Sequence, residues 1–153
     1  MNSPTDLIAR PDAVVLDLPA SSGEVVMEAL QARLKILPAV TDAAGFMRDL
    51  LERAEVSSVC ISPEVALPHA RTAAVNRLML AVGRTAGPVA FDAGHPGVRL
   101  VFLIGTPKVQ VTEYLQLVAG VSRLLKQDKV RSALLAAPDE GAFRAVLADG
   151  VRR

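Results

Sequence analysis

A chain of 153 residues is long enough for one domain with a substantial core and short for two. Its 17 basic and 16 acidic residues leave a formal net charge of +1, and four Phe, one Tyr and no Trp offer little to stack bases on, so nucleic acid is not an expected partner. One cysteine excludes an internal disulfide, no Cys or His cluster has metal-ligand spacing, and no apolar run approaches the ~20 residues of a membrane span, so no metal, cofactor or membrane insertion is expected.

Residues 1–12 hold Pro4 and Pro11 without periodicity and read as a flexible tail that lacks the features of a signal peptide. A domain over 13–150 and a soluble, cytoplasmic protein are expected. A strand is predicted at 13–18. Ser21 and Glu24 then form a capping box, followed by Val26, Leu30, Leu34 and Leu37 at helical spacing. Thr41 caps a second predicted helix. Its inward stripe is Ala43, Phe46, Met47, Leu50 and Ala54, with Arg48, Asp49, Glu52 and Arg53 on other faces.

A strand over residues 59–66 leads towards His69, one of two histidines. A neutral imidazole can form a covalent intermediate, and a guanidinium such as that of Arg71 can hold an anionic group on it, which points to phosphoryl transfer. Pro68 fixes its own φ and turns Leu67 from helix, so His69 leaves the strand on a defined turn. The residues alone also allow a satisfied structural histidine. Runs 77–83 and 98–105 are apolar on both faces and read as central strands of a covered sheet. Between them, 87–97 is a predicted loop in which Asp92 anchors a turn and His95 is exposed. Cys60, between Val59 and Ile61, reads as a small buried hydrophobe. The closing helices follow from Val111, Tyr114, Leu115, Val118, Val121 and Leu125, then Val130, Leu134 and Leu135, then Phe143, Val146 and Leu147. Alternating helices and strands predict a single-domain α/β layered fold.

Val65-Ala66-Leu67-Pro68-His69 resembles the active-site signature of the fructose/mannitol-type enzyme IIA domain of the bacterial phosphotransferase system, which includes a nitrogen-regulatory form. Leu50-Leu51-Glu52-Arg53 lies sixteen residues before the histidine, as the family's arginine does, and Gly87 to Ala93, 98–104 and the segments around Ser122 and Arg131 resemble its core strands and closing helices. The resemblance implies a mixed sheet with helices on both faces. It implies a phosphohistidine carrier rather than a stand-alone enzyme. His69 would accept a phosphoryl group from an HPr-like carrier and pass it to a IIB partner or use it as a regulatory signal. Arg53 is its first candidate for holding phosphoryl oxygens; Arg71 is the second, or docks the partner. Docking would use an apolar rim of Val65, Leu67 and Ala70.

Two departures favour an alternative, a non-phosphorylated binding module on the same fold. The usual glycine-rich segment here carries Cys60, Ser62 and Glu64, a stiffer loop whose carboxylate would repel a phosphoryl group if it faced the site. Tyr114 stands where the family carries a second histidine, and a phenol supplies no cation near neutral pH.

Overall fold

The computed structural model describes residues 3–152. Its first element is a helix, α1 (Pro4–Ala9), where a flexible tail is expected. Pro4 sits in the first turn, where a missing N–H leaves no bond unmade, and Ser3 and Asp6 cap it reciprocally. Leu7 and Ile8 are buried, which ties these residues into the core.

Strand β1 (Ala13–Leu18) is followed by α2 (Gly23–Leu34) and α3 (Ala43–Val56). Each helix starts one residue later than the predicted cap allows. Ser22, not Ser21, accepts from the amide of Val25, and Asp42, not Thr41, accepts from that of Gly45. Thr41 instead donates its hydroxyl to the carbonyl of Ala74.

The strand predicted over 59–66 is a hairpin. Pro63 and Glu64 turn the chain between β2 (Cys60–Ser62) and β3 (Val65–Ala66), which pair antiparallel, and a short β4 (His69–Arg71) begins at the histidine. The long strands are β5 (Met79–Val89) and β6 (Val98–Thr106). Strand β5 runs through Gly87 and Pro88, so the irregular stretch shrinks to 90–97. Pro88 is tolerated because pairing with β1 ends at Thr85 and the β5–β6 register shifts between Arg84 and Val89. Helices α4 (Val111–Leu125), α5 (Asp128–Ala136) and α6 (Glu140–Val151) complete the chain.

The six strands form one mixed sheet in the order β1-β5-β6-β3-β2, with β4 also paired to β6. Strands β1 and β5 are parallel, β5 and β6 antiparallel, and β3 and β4 both parallel to β6. The strand period of two divides the core. Met79, Ala81, Val101 and Leu103 face α2 and α3 through Met27, Leu30, Phe46 and Leu50. Leu80, Val82, Phe102 and Ile104 face the other helices through Ile8, Leu117, Val121, Phe143 and Leu147. The architecture is the α/β layered fold with helices on both faces. Among the described residues, no helix is long and apolar enough to cross a membrane.

Gly105 fixes where α3 sits. A Cβ there would lie 2.6 Å from Cζ of Phe46, so the bare backbone lets the aromatic ring rest directly on β6. Gly105 pairs with Ala70 of β4, so the same contact seats α3 beside the histidine strand.

Candidate functional site

His69 opens β4 opposite Ile104. The preceding Leu67 and Pro68 are pinned on both sides: the Leu67 amide donates to the Val59 carbonyl at 2.7 Å, and the Pro68 carbonyl accepts from the Ile104 amide at 2.9 Å. The Leu67 carbonyl then lies 2.9 Å from Nδ1 of His69. A carbonyl can only accept, so Nδ1 carries the proton and Nε2 keeps the lone pair. Burial pushes the imidazole pKa below its ordinary value, and the positive charge of Arg53 adds to this against the opposing Leu67 bond. The ring is therefore neutral near pH 7, as a nucleophile must be.

Strand alternation puts Arg71 on the same face of β4 as His69, with Ala70 buried against the α2 and α3 side. Arg71 Nη2 donates to the Lys108 carbonyl at 3.2 Å, which braces the guanidinium across the β6–α4 link. Arg53 lies in the last turn of α3, where Nη1 donates to the carbonyl and hydroxyl of Ser57 at 3.3 and 3.1 Å. Tyr114, near the start of α4, places its ring centroid 5.4 Å from that of His69 at an interplanar angle of 38°. Burial raises the phenol pKa, opposed by Arg53 and Arg71, so the hydroxyl stays protonated and can donate. His69, Arg53, Arg71 and Tyr114 line one open cleft together with Ala70 and Asp49.

Asp49 is the lining residue that sequence reasoning assigned no role. Its Oδ2 accepts from the Thr72 hydroxyl at 2.6 Å, and that hydroxyl in turn accepts from the Ala74 amide. Asp49 thus clamps α3 to the segment following β4. The available signal was its position four residues before Arg53, which puts both on one helix face.

Glu64 does not line this cleft. It is exposed at the β2–β3 turn, and its carbonyl accepts from the amides of Arg99 and Leu100, whereas His69 pairs with Ile104. Four residues of β6 separate the two levels, about 13 Å at strand spacing. The expected electrostatic conflict is absent. Cys60, Ser62 and Glu64 need no glycine either, because Asp17 is the only non-glycine with positive φ among the described residues. The expected apolar rim is also different. Val65, Leu67 and Ala70 are buried, since both faces of this part of the sheet are covered. Val109, Val111 and Leu115 are exposed instead, Val109 by 89%.

Two further expectations change. Cys60 is half-buried rather than fully buried, and burial raises its thiol pKa. His95 is not a free turn residue: Nδ1 lies 2.7 Å from Oδ1 of Asp92.

The family described as "Phosphoenolpyruvate-dependent sugar phosphotransferase system, EIIA 2" matches residues 7–150. A nitrogen regulatory protein of Bradyrhizobium diazoefficiens is 30% identical over 146 residues, covering 94% of each chain. A fructose-specific EIIA component of Haloferax volcanii is 29% identical over 141 residues, covering 92% of each. Among solved structures, the nitrogen regulatory protein IIA-Ntr of Neisseria meningitidis superposes with a TM-score of 0.79 at 23% identity, covering 92% of this chain and 94% of that one. The match across nearly the whole sequence, on a fold that brings His69 and Arg53 to one cleft, makes this chain a member of the EIIA 2 family of the phosphoenolpyruvate-dependent sugar phosphotransferase system.

Proposed function

We propose that this protein is a cytoplasmic phosphohistidine carrier that accepts a phosphoryl group on Nε2 of His69 from an HPr-like protein and passes it to a IIB partner or uses it as a nitrogen-type regulatory signal. The observation that carries this reading is the Nδ1 to Leu67 carbonyl bond, which leaves Nε2 as the one nucleophilic nitrogen of a neutral ring. The lone pair of Nε2 attacks phosphorus as the P–N bond to the donor histidine breaks. The three equatorial oxygens carry the spreading charge, and Arg53 and Arg71 offset it. The imidazole gains positive character as the new bond forms. The proton stays on Nδ1, where the Leu67 carbonyl stabilises it, so the transfer needs no general base.

Carrier docking is assigned to the exposed Val109, Val111 and Leu115, which flank Tyr114 and the Lys108 brace of Arg71. Leu115→Glu is expected to slow labelling by the carrier while leaving the fold intact; unchanged labelling would move the docking surface elsewhere.

Tyr114 is the observation that favours the other reading, a binding module that is never phosphorylated, since a neutral phenol adds a donor but no charge beside the acceptor. The two separate in one experiment. Phosphoenolpyruvate, a general enzyme I and an HPr-type carrier are incubated with the protein, and intact mass is read with His69→Ala as control. A gain of one phosphate, labile in acid and absent from the control, is expected; no gain with carriers from the source organism would favour the binding module.

A further inference from the structure

Beside edge strand β2 and outside the cleft, three side chains of metal-binding chemistry meet. Cys60 opens β2, while Asp92 and His95 lie in the loop between β5 and β6, and one ligating atom from each falls within 4.8 Å of the other two. Among the described residues no other three His, Cys, Asp or Glu side chains come together in this way. Cys60 pairs with Ala66, which pairs with Val101 of β6, whereas His69 pairs with Ile104. About 10 Å of β6 separates the two levels at strand spacing.

The cluster is built rather than incidental. Asp92 accepts from the Ser58 hydroxyl at 2.7 Å and the Gly94 amide at 3.0 Å, and its Oδ1 lies 2.7 Å from His95 Nδ1. The Ser58 hydroxyl also accepts from the Cys60 amide at 3.1 Å, so the cysteine and the carboxylate share one supporting group. Two backbone bonds close the loop on itself, from the Phe91 amide to the His95 carbonyl and from the His95 amide to the Asp92 carbonyl, each 3.1 Å. These contacts hold all three residues in place without an ion, which is the support a ligand set needs.

We infer that Cys60, Asp92 and His95 form a binding site for a zinc-class divalent cation, with a fourth position open to water. One thiolate, one imidazole and one carboxylate are the donors that zinc takes at about 2.0–2.3 Å, whereas calcium and magnesium require oxygen throughout. Tetrahedral ligand atoms stand about 3.3–3.8 Å apart at those bond lengths, so from separations within 4.8 Å the widest pair closes in by at most about 1.5 Å on an ion. Binding breaks the Cys60 S–H bond, the sulfur lone pair forms the bond to the metal, and the proton goes to solvent. Affinity therefore rises with pH. The ion would clip edge strand β2 to the β5–β6 loop and stabilise the fold. The spacing 60, 92, 95 is no known ligand motif, which is why sequence alone predicted no metal. The site is independent of the phosphocarrier reading.

The test uses the full chain, reduced and stripped with chelator, then titrated with Co²⁺. Saturation at one ion per chain is expected, with a thiolate-to-cobalt charge-transfer band, visible bands of four-coordinate cobalt, and one proton released. Zn²⁺ should bleach the bands and raise Tm. Cys60 is the only cysteine, so the charge-transfer band reports it directly even without a variant. Cys60→Ser should abolish that band, and His95→Ala or Asp92→Asn should weaken binding at least about tenfold, with the metal-free dichroism of each unchanged. The absence of a charge-transfer band, or a dissociation constant weaker than about 10 μM, overturns the inference. So does affinity unchanged by all three substitutions.

Discussion

Replacing Gly105 by alanine tests how α3 is seated. The new Cβ would lie 2.6 Å from Cζ and 3.0 Å from Cε1 of the Phe46 ring. Carbon atoms rest at about 3.5–4.0 Å, so the ring must withdraw by about 1 Å. Phe46 is fully buried in the second turn of α3, in one core cluster with Leu30, Leu50 and Leu103, and a close-packed interior leaves a ring little room to turn. The helix must therefore move. Overpacking of this kind costs about 1–3 kcal/mol, equivalent to a fall in Tm of roughly 2–10 °C for a chain of this size. Asp49 and Arg53 ride on the same helix, so the displacement also reaches the cleft, where a misplacement of about 1 Å can slow a reaction by as much as 100-fold. Thermal unfolding and single-turnover phosphorylation from a pre-phosphorylated carrier measure both effects. Phe46→Leu in the same chain should relieve the clash and give a favourable coupling of about 0.5–3 kcal/mol. An unchanged Tm in Gly105→Ala, or strict additivity with Phe46→Leu, would refute the claim that this contact seats the helix.

Arg53→Met should slow phosphorylation about 100-fold, by loss of a cation aimed at developing charge. It should also move the acid limb of the rate–pH profile upward. The acceptor must be neutral, so the rate falls as pH drops through the folded pKa of His69; burial and Arg53 hold that value below the ordinary one, and removing Arg53 lets it rise. An acid limb that stays in place would disprove the electrostatic link. Tyr114→His should accelerate phosphorylation by restoring a titratable donor beside His69, while Tyr114→Phe should slow it; equal rates for all three chains would make Tyr114 a packing residue. Ile8→Ala should cost about 2–4 kcal/mol in denaturant unfolding, as a buried core truncation does, whereas a disordered tail would give no change.

The layered fold was legible because β5 and β6 are apolar on both faces and the helices carry stripes at their own period. Helix α1 was not legible because Pro4 and Pro11 read as punctuation; only the capping partners Ser3 and Asp6 reveal that Pro4 stands at a helix start. The β2–β3 hairpin was hidden in a run that reads as one strand, since Pro63-Glu64 is too short a break to stand out from the apolar residues around it. Burial of Val65, Leu67 and Ala70 depends on strands and helices far away in the chain, so a local apolar pattern could not separate rim from core. At the cleft, the wording around His69 pointed to Arg71, and the family resemblance added Arg53 and Tyr114; the fold brings the four together. Asp49 escaped because its role rests on a bond to Thr72, a residue distant in the chain that only the fold brings to it. The approach of His95 to Cys60 depends on the β5–β6 loop folding back beside β2, which no spacing rule encodes.

Imidazole ¹⁵N resonances of the protein after incubation with phosphoenolpyruvate, enzyme I and an HPr-type carrier test the central claim most directly. One phosphoryl group on Nε2 of His69, with the proton retained on Nδ1, is the expected result. Phosphate on Nδ1, or His69 resonances unchanged with active carrier present, would contradict it.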